Sequence, residues 1–189
     1  MGTAALSTAI PARVLGLAQR REGTDSAWSL LSRGDRVRGR VIAPAGPGPH
    51  PVIVLASPEG CVSAPLLEAA ASAWCAHAAL VVFDLPLFAS RKSDKLTALA
   101  LDLRTPLAQR LRPELEAQVA SDLTQVLALI AADPALDGAR VTFAGVGLGA
   151  DLARTFLAGQ RAFAHVALAP NETPPASWLR EVGEQALRT

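Results

Sequence analysis

The sequence predicts a single α/β domain, a three-layer α/β/α sandwich around a mostly parallel sheet. Three observations predict it. Residues 51–57 (PVIVLAS) and 80–83 (LVVF) are short runs without polar alternation, as expected of strands covered on both faces by helices. Helical apolar stripes separate such runs, the order that gives crossover connections. Half of the 189 residues are apolar and 19% are charged, which suits one packed domain and excludes the low-hydropathy, high-charge signature of disorder.

From the N-terminus, residues 12–19 suit a helix, and residues 1–26 are expected to form an N-terminal helical extension ahead of an α/β domain over 27–189. Residues 27–32 and 36–42 read as two strands joined by a tight turn at Gly34 and Asp35. Val37, Gly39 and Val41 alternate with Arg36, Arg38 and Arg40, one face covered and one solvated. A Pro- and Gly-rich loop leads into the first buried strand, 51–57. The spacing of Leu67, Ala71, Trp74 and Ala78 predicts a helix over 65–78, and 80–83 is the next strand, closing on Asp84. Leu115, Val119, Leu123, Val126 and Ile130 form a second helical stripe, stopped by Asp133 and Pro134. Residues 140–144 are then a strand, 145–149 a glycine-rich turn, 148–158 a helix and 164–169 the last strand. Trp178, Val182 and Leu187 make an apolar stripe in a closing segment over 175–187.

The net charge of +1 gives no basic footprint for nucleic acid and none for an anionic membrane. No run approaches the roughly 20 apolar residues of a membrane span. Cys61 and Cys75 are too few for a disulfide framework or a metal cluster. A reducing, cytoplasmic setting is therefore expected, with no metal and no cofactor.

Residues 136–150, LDGARVTFAGVGLGA, resemble the strand-turn-helix of the α/β-hydrolases, whose nucleophile elbow reads G-x-S-x-G. Gly145 and Gly149 match the flanking glycines, Gly147 stands at the nucleophile position, and Leu148 follows it. Residues 52–60, VIVLASPEG, are similar to the family's third strand and oxyanion loop. Residues 80–88, LVVFDLPLF, are similar to its fourth strand, with Phe88 and Ala89 where relatives carry His-Gly. The dienelactone hydrolase and acetyl-xylan-esterase-like branch resembles the chain most.

The resemblance implies strand order 1-2-4-3-5-6, a fold truncated after its sixth strand, and a site above the carboxyl ends of the parallel strands. It also implies that the usual chemistry is absent, so no catalytic residue is assigned. A serine hydrolase needs an activated hydroxyl, an imidazole and an orienting acid. Gly147 has no side chain to attack with, although glycine relieves the strain of an elbow. His50, His77 and His165 all map to the face away from the elbow. The candidate pocket comprises Glu59, Gly60, Cys61, Asp84, Phe88 and Glu172 beside the degenerate elbow of Gly145, Gly147, Leu148 and Gly149.

Three readings follow. The favoured one is a catalytically inactive binding or accessory subunit. The second is an atypical ester or acyl hydrolase using Cys61, its thiol activated by the neighbouring helix terminus, or groups from a second chain. The third parses Gly145, Gly147 and Ala150 as G-x-G-x-x-A and has the turn bind a nucleotide. An unpaired last strand would be an association hazard, so residues 175–187, the N-terminal helix or another subunit is expected to cover it. A homo-oligomer or a partner protein is anticipated at that edge. The basic residues from Arg91 to Arg112 are read as a solvated face.

Overall fold

The computed structural model describes residues 18–22, 24–61, 64–101, 105–170 and 173–188. Seven strands form one sheet: β1 (Ala18–Glu22), β2 (Asp25–Ser32), β3 (Asp35–Ile42), β4 (His50–Ala56), β5 (Ala79–Phe83), β6 (Leu136–Val146) and β7 (His165–Ala169). Their order is β1-β2-β3-β5-β4-β6-β7. Within it the six strands anticipated from sequence lie in the order 1-2-4-3-5-6. The β1, β2, β3 meander is antiparallel, as is the β3–β5 pair, whereas β5, β4, β6 and β7 run parallel.

β1 is an addition. Ala18 and Gln19, placed by the sequence reading at the end of a helix, are strand residues facing Ser29 and Trp28 of β2. Among the described residues the sheet therefore begins at Ala18 rather than at residue 27; residues 1–17 of the anticipated extension lie outside the described residues. Backbone pairing alone holds an edge strand, so its sequence, AQRRE, carries no alternation to announce it.

Buried strands divide their side chains between two layers. Val52, Val54 and Ala56 of β4 join Val81 and Phe83 of β5 in one core; Ile53 and Leu55 join Leu80 and Val82 in the other. The first core is closed by α3 (Pro106–Ala132) and α4 (Leu148–Gly159), the second by α1 (Pro65–Trp74) and α5 (Ala176–Leu187). A short helix, α2 (Asp94–Leu101), packs on α3.

Helix boundaries follow local chemistry. α1 ends at Trp74, whose carbonyl accepts from the His77 and Ala78 amides, so residues 75–78 turn rather than continue the helix. α3 starts nine residues ahead of its apolar stripe because Thr105 caps it, its hydroxyl accepting from Ala108 N–H at 3.2 Å, with Pro106 in the first turn. α3 is also the one described helix long and apolar enough, by length and composition, to cross a membrane, against the reading that no stretch approached that length. Its apolar side, from Val119 to Ile130, is spent on the sheet.

α5 buries Leu179, Val182 and Ala186, while Leu187, assigned to the stripe from sequence, is 48% exposed. It packs against α1 and across β4, β6 and β7. It covers the face of β7 that carries Ala167 and Ala169, while Val166 on the other face is 46% exposed.

Candidate hydrolase-like site

β4 is the switch point of the sheet, because the chain moves from it to β5 on one side and to β6 on the other. Loops at such a point splay apart and leave a crevice at the strands' carboxyl ends. Three segments meet there: the loop from Ser57 to Cys61, the loop after Asp84, and the turn between β6 and α4.

That turn has elbow geometry. Gly147 adopts φ 54° and ψ −127° and its N–H donates to Ala169 O at 2.8 Å, tying the turn to the end of β7. The flanking glycines are demanded by packing. A Cβ on Gly149 would lie 2.2 Å from Ala56 O, and one on Gly145 would lie 2.8 Å from Ala150 Cα. α4 can approach β4 at Gly149 and β6 at Gly145 this closely only with hydrogen atoms at those positions, which accounts for the glycine pattern without a bound pyrophosphate.

Asp84, fully buried at the end of β5, holds the first and second segments together. Its Oδ1 accepts from Cys61 N–H at 2.8 Å; its Oδ2 accepts from Ser90 N–H at 3.2 Å and from the Ser90 hydroxyl. Gly60 sits at φ +64°, and a Cβ there would be 2.4 Å from Asp84 Oδ1. In a working hydrolase this loop lends an amide to the oxyanion hole. Here the Cys61 amide is occupied by a carboxylate, and the Gly60 amide bonds Ser57 O at 3.1 Å.

The Cys61 thiol is shifted in the direction opposite to the activation expected from sequence. Burial, and then its hydrogen bond to Asp84, push the thiol up to about 12, overriding any pull from the nearby helix terminus. Only the thiolate attacks, so the proton stays on at neutral pH. Burial likewise pushes Cys75 up to about 11; both cysteines are free. Alkylation by iodoacetamide at pH 7 is therefore expected to be roughly a hundredfold or more slower at both than at an unperturbed thiol. It should quicken about tenfold per pH unit above that, read by mass spectrometry of the native protein.

Phe88 is corrected as a pocket residue. Leu87 and Ala89 on either side have positive φ, 67° and 47°, and this kinked turn aims Phe88 into the α3–α4 core, where it is 8% exposed. Glu59 remains at the crevice loop, its Oε2 buried with no hydrogen-bond partner among the described residues. Glu172 lies outside the described residues.

No imidazole reaches the elbow. His50 and His165 open β4 and β7 and His77 precedes β5, all at the amino ends of the parallel strands. Along β4 that is about 20 Å from the crevice, at roughly 3.3 Å per residue. There is no tyrosine in the chain to substitute as a proton carrier. Two clefts lie away from the elbow: one of about 210 Å³ with His50, Asp133 and Ser26 on its wall, and one of about 260 Å³ between Trp74 and Gly183.

Arg91 and Asp122 were not recognised from sequence as parts of this region. Arg91, read as solvated, has a side chain only 4% exposed; its Nη1 donates to Asp122 Oδ2 at 2.6 Å and to Asp84 O at 3.0 Å, and its Nε donates to Asp35 Oδ2 at 2.8 Å. It pins the loop after β5 against α3 and the β2–β3 turn. A signal existed: Asp122 falls three residues after Val119 and four before Val126, inside the apolar stripe, where a lone carboxylate requires a buried partner.

No protein-family model matches the chain, and no curated protein does. Solved structures do. A cold-adapted esterase from an Arctic intertidal metagenomic library superposes with a TM-score of 0.59 at 17% identity, covering 82% of this chain and 64% of that one. A putative acetyl xylan esterase from Bacteroides fragilis gives 0.56 at 13% identity, covering 83% and 48%. Dienelactone hydrolase from Anabaena variabilis gives 0.51 at 15% identity, covering 80% and 62%. The chain thus spans about half to two thirds of the length of these three. Sheet order, elbow and neighbours together define an α/β-hydrolase-like fold. Within that class, the chain is a hydrolase-like fold whose elbow carries glycine at the nucleophile position.

Proposed function

We propose that this chain is a catalytically silent hydrolase-fold module that works by binding, as an accessory subunit or as a receptor for a small ligand, in a reducing, cytoplasmic setting. The observation that carries the reading is Gly147: the elbow keeps its backbone geometry and lacks an atom to form an acyl-enzyme bond. Three further features support it. The Cys61 amide is consumed by Asp84, the Cys61 thiol is held protonated by burial, and the histidines stand at the far end of the sheet.

The test is hydrolysis of short p-nitrophenyl esters by the wild-type chain and by Gly147→Ser. Neither is expected to exceed the buffer rate, because a restored hydroxyl still has no base and faces a carboxylate-occupied loop. Turnover by the wild type that disappears in Cys61→Ala would reverse the reading.

A further inference from the structure

The two edges of the sheet are built differently. β1, at one edge, reads AQRRE, and charged residues on an edge strand discourage pairing. β7, at the other, reads HVALA and has no acidic residue, lysine, arginine or proline, with His165 at its first position. β6 is its only strand neighbour among the described residues, and α5 meets it on the face that carries Ala167 and Ala169. Val166 is 46% exposed in the middle of this strand. A parallel edge strand leaves alternate N–H and C=O groups facing outward, and their natural complement is another extended backbone.

We propose that β7 pairs antiparallel with β7 of a second copy of this chain, about a two-fold axis at Ala167. The strand is its own complement in this register. Ala167 faces itself, a small residue on the axis; Val166 lies opposite the partner's Leu168, and His165 opposite the partner's Ala169. Side chains alternate along a strand, and Leu168 packs toward the α3–α4 core while Ala167 and Ala169 belong to the α1–α5 core. Each Val166–Leu168 pair therefore extends the α3–α4 apolar layer across the junction and covers the exposed valine. Because His165 faces Ala169, the register brings no like charges into opposition. Because the edge at β1 is charged, growth stops at two copies, the closed outcome of an isologous contact.

This interface rests on the reading of the chain as a binding module, yet the two fail separately: one is measured by ester turnover, the other by mass. Light scattering during size exclusion at micromolar concentration should give twice 19.6 kDa. Val166→Lys should halve that mass with an unchanged far-ultraviolet spectrum. Leu107→Lys, at a 44% exposed leucine on α3, should leave it doubled. Ala167→Cys should cross-link under mild oxidation, since directly opposed Cα atoms about 4.5–5.5 Å apart fall within disulfide range. A monomeric wild type overturns the proposal, including one whose β7 amides become protected only on adding another protein. So does a dimer that Val166→Lys leaves intact, or one that Ala167→Cys does not cross-link.

Discussion

Replacing Arg91 with alanine is expected to cost the fold about 3–5 kcal/mol, the usual effect of removing one partner from a buried ion pair. In a chain of this size that lowers the melting temperature by roughly 10 °C or more. Asp122 is the reason. Its carboxylate is completely buried, and although Gln118 Nε2 donates to Oδ1 at 2.8 Å, Arg91 is the only cation against it among the described residues. Burial already holds the Asp122 carboxyl above its usual range, with Arg91 pulling the other way. A raised folded value means that proton uptake favours the folded state at low pH and that this contribution fades as pH rises through the folded value. Without Arg91 the folded value climbs further. The stability gap between Arg91→Ala and wild type should thus be widest at neutral pH and narrow on acidification, as followed by urea unfolding at several pH values. Asp35→Ala removes the half-exposed partner of the same arginine and should shift the midpoint far less.

Gly149→Ala should be nearly as damaging, by about 3 kcal/mol or somewhat less, because overpacking here meets main chain. The added methyl would stand 2.2 Å from Ala56 O and 2.6 Å from its carbonyl carbon, and neither can move without shifting the centre of the sheet. Gly159→Ala, at the other end of the same helix, meets nothing within 4 Å and should stabilise by roughly 0.4–1 kcal/mol through the unfolded chain. Thermal unfolding of the pair separates steric demand from helix propensity. Equal effects of the two substitutions would contradict the close approach of α4 to β4.

The parts of the fold legible in the sequence are those where burial writes itself into residue type. β4 and β5 lie between two layers, so PVIVLA and LVVF carry no polar alternation, whereas the switch point at β4 came only from the family resemblance. The elbow was legible because Gly145 and Gly149 answer to backbone contacts that no other residue tolerates. β1 was not, since AQRRE shows no apolar alternation and its pairing with β2 runs through the backbone. α2 was hidden because its eight residues leave Leu96 exposed and present no full stripe. In α5 the phase slipped: Trp178 and Leu187 are hydrophobic, but Leu179 and Ala186 are what the sheet covers.

At the crevice the composition of the loops was readable and the pairing within them was not. Asp84 and Cys61 were both singled out, but only the folded chain shows that the carboxylate takes the amide beside the thiol and raises the thiol's own proton affinity. Arg91 looked solvated because its neighbours Lys92 and Lys95 are basic too. Its burial depends on Asp122, thirty-one residues away, and nothing in local spacing joins them.

The indole of Trp74 donates to Leu179 O at 2.6 Å, and its ring lies 6.3 Å from that of Trp178, whereas Trp28 belongs to the opposite core. With no tyrosine present, near-ultraviolet light is absorbed almost wholly by these three rings. Two of them form a close couple that breaks when the last helix lifts, and the third answers only to the β2–β3 hairpin. The molecule therefore carries a separate optical reporter for each side of its sheet, and loosening of either layer can be followed without attaching a dye.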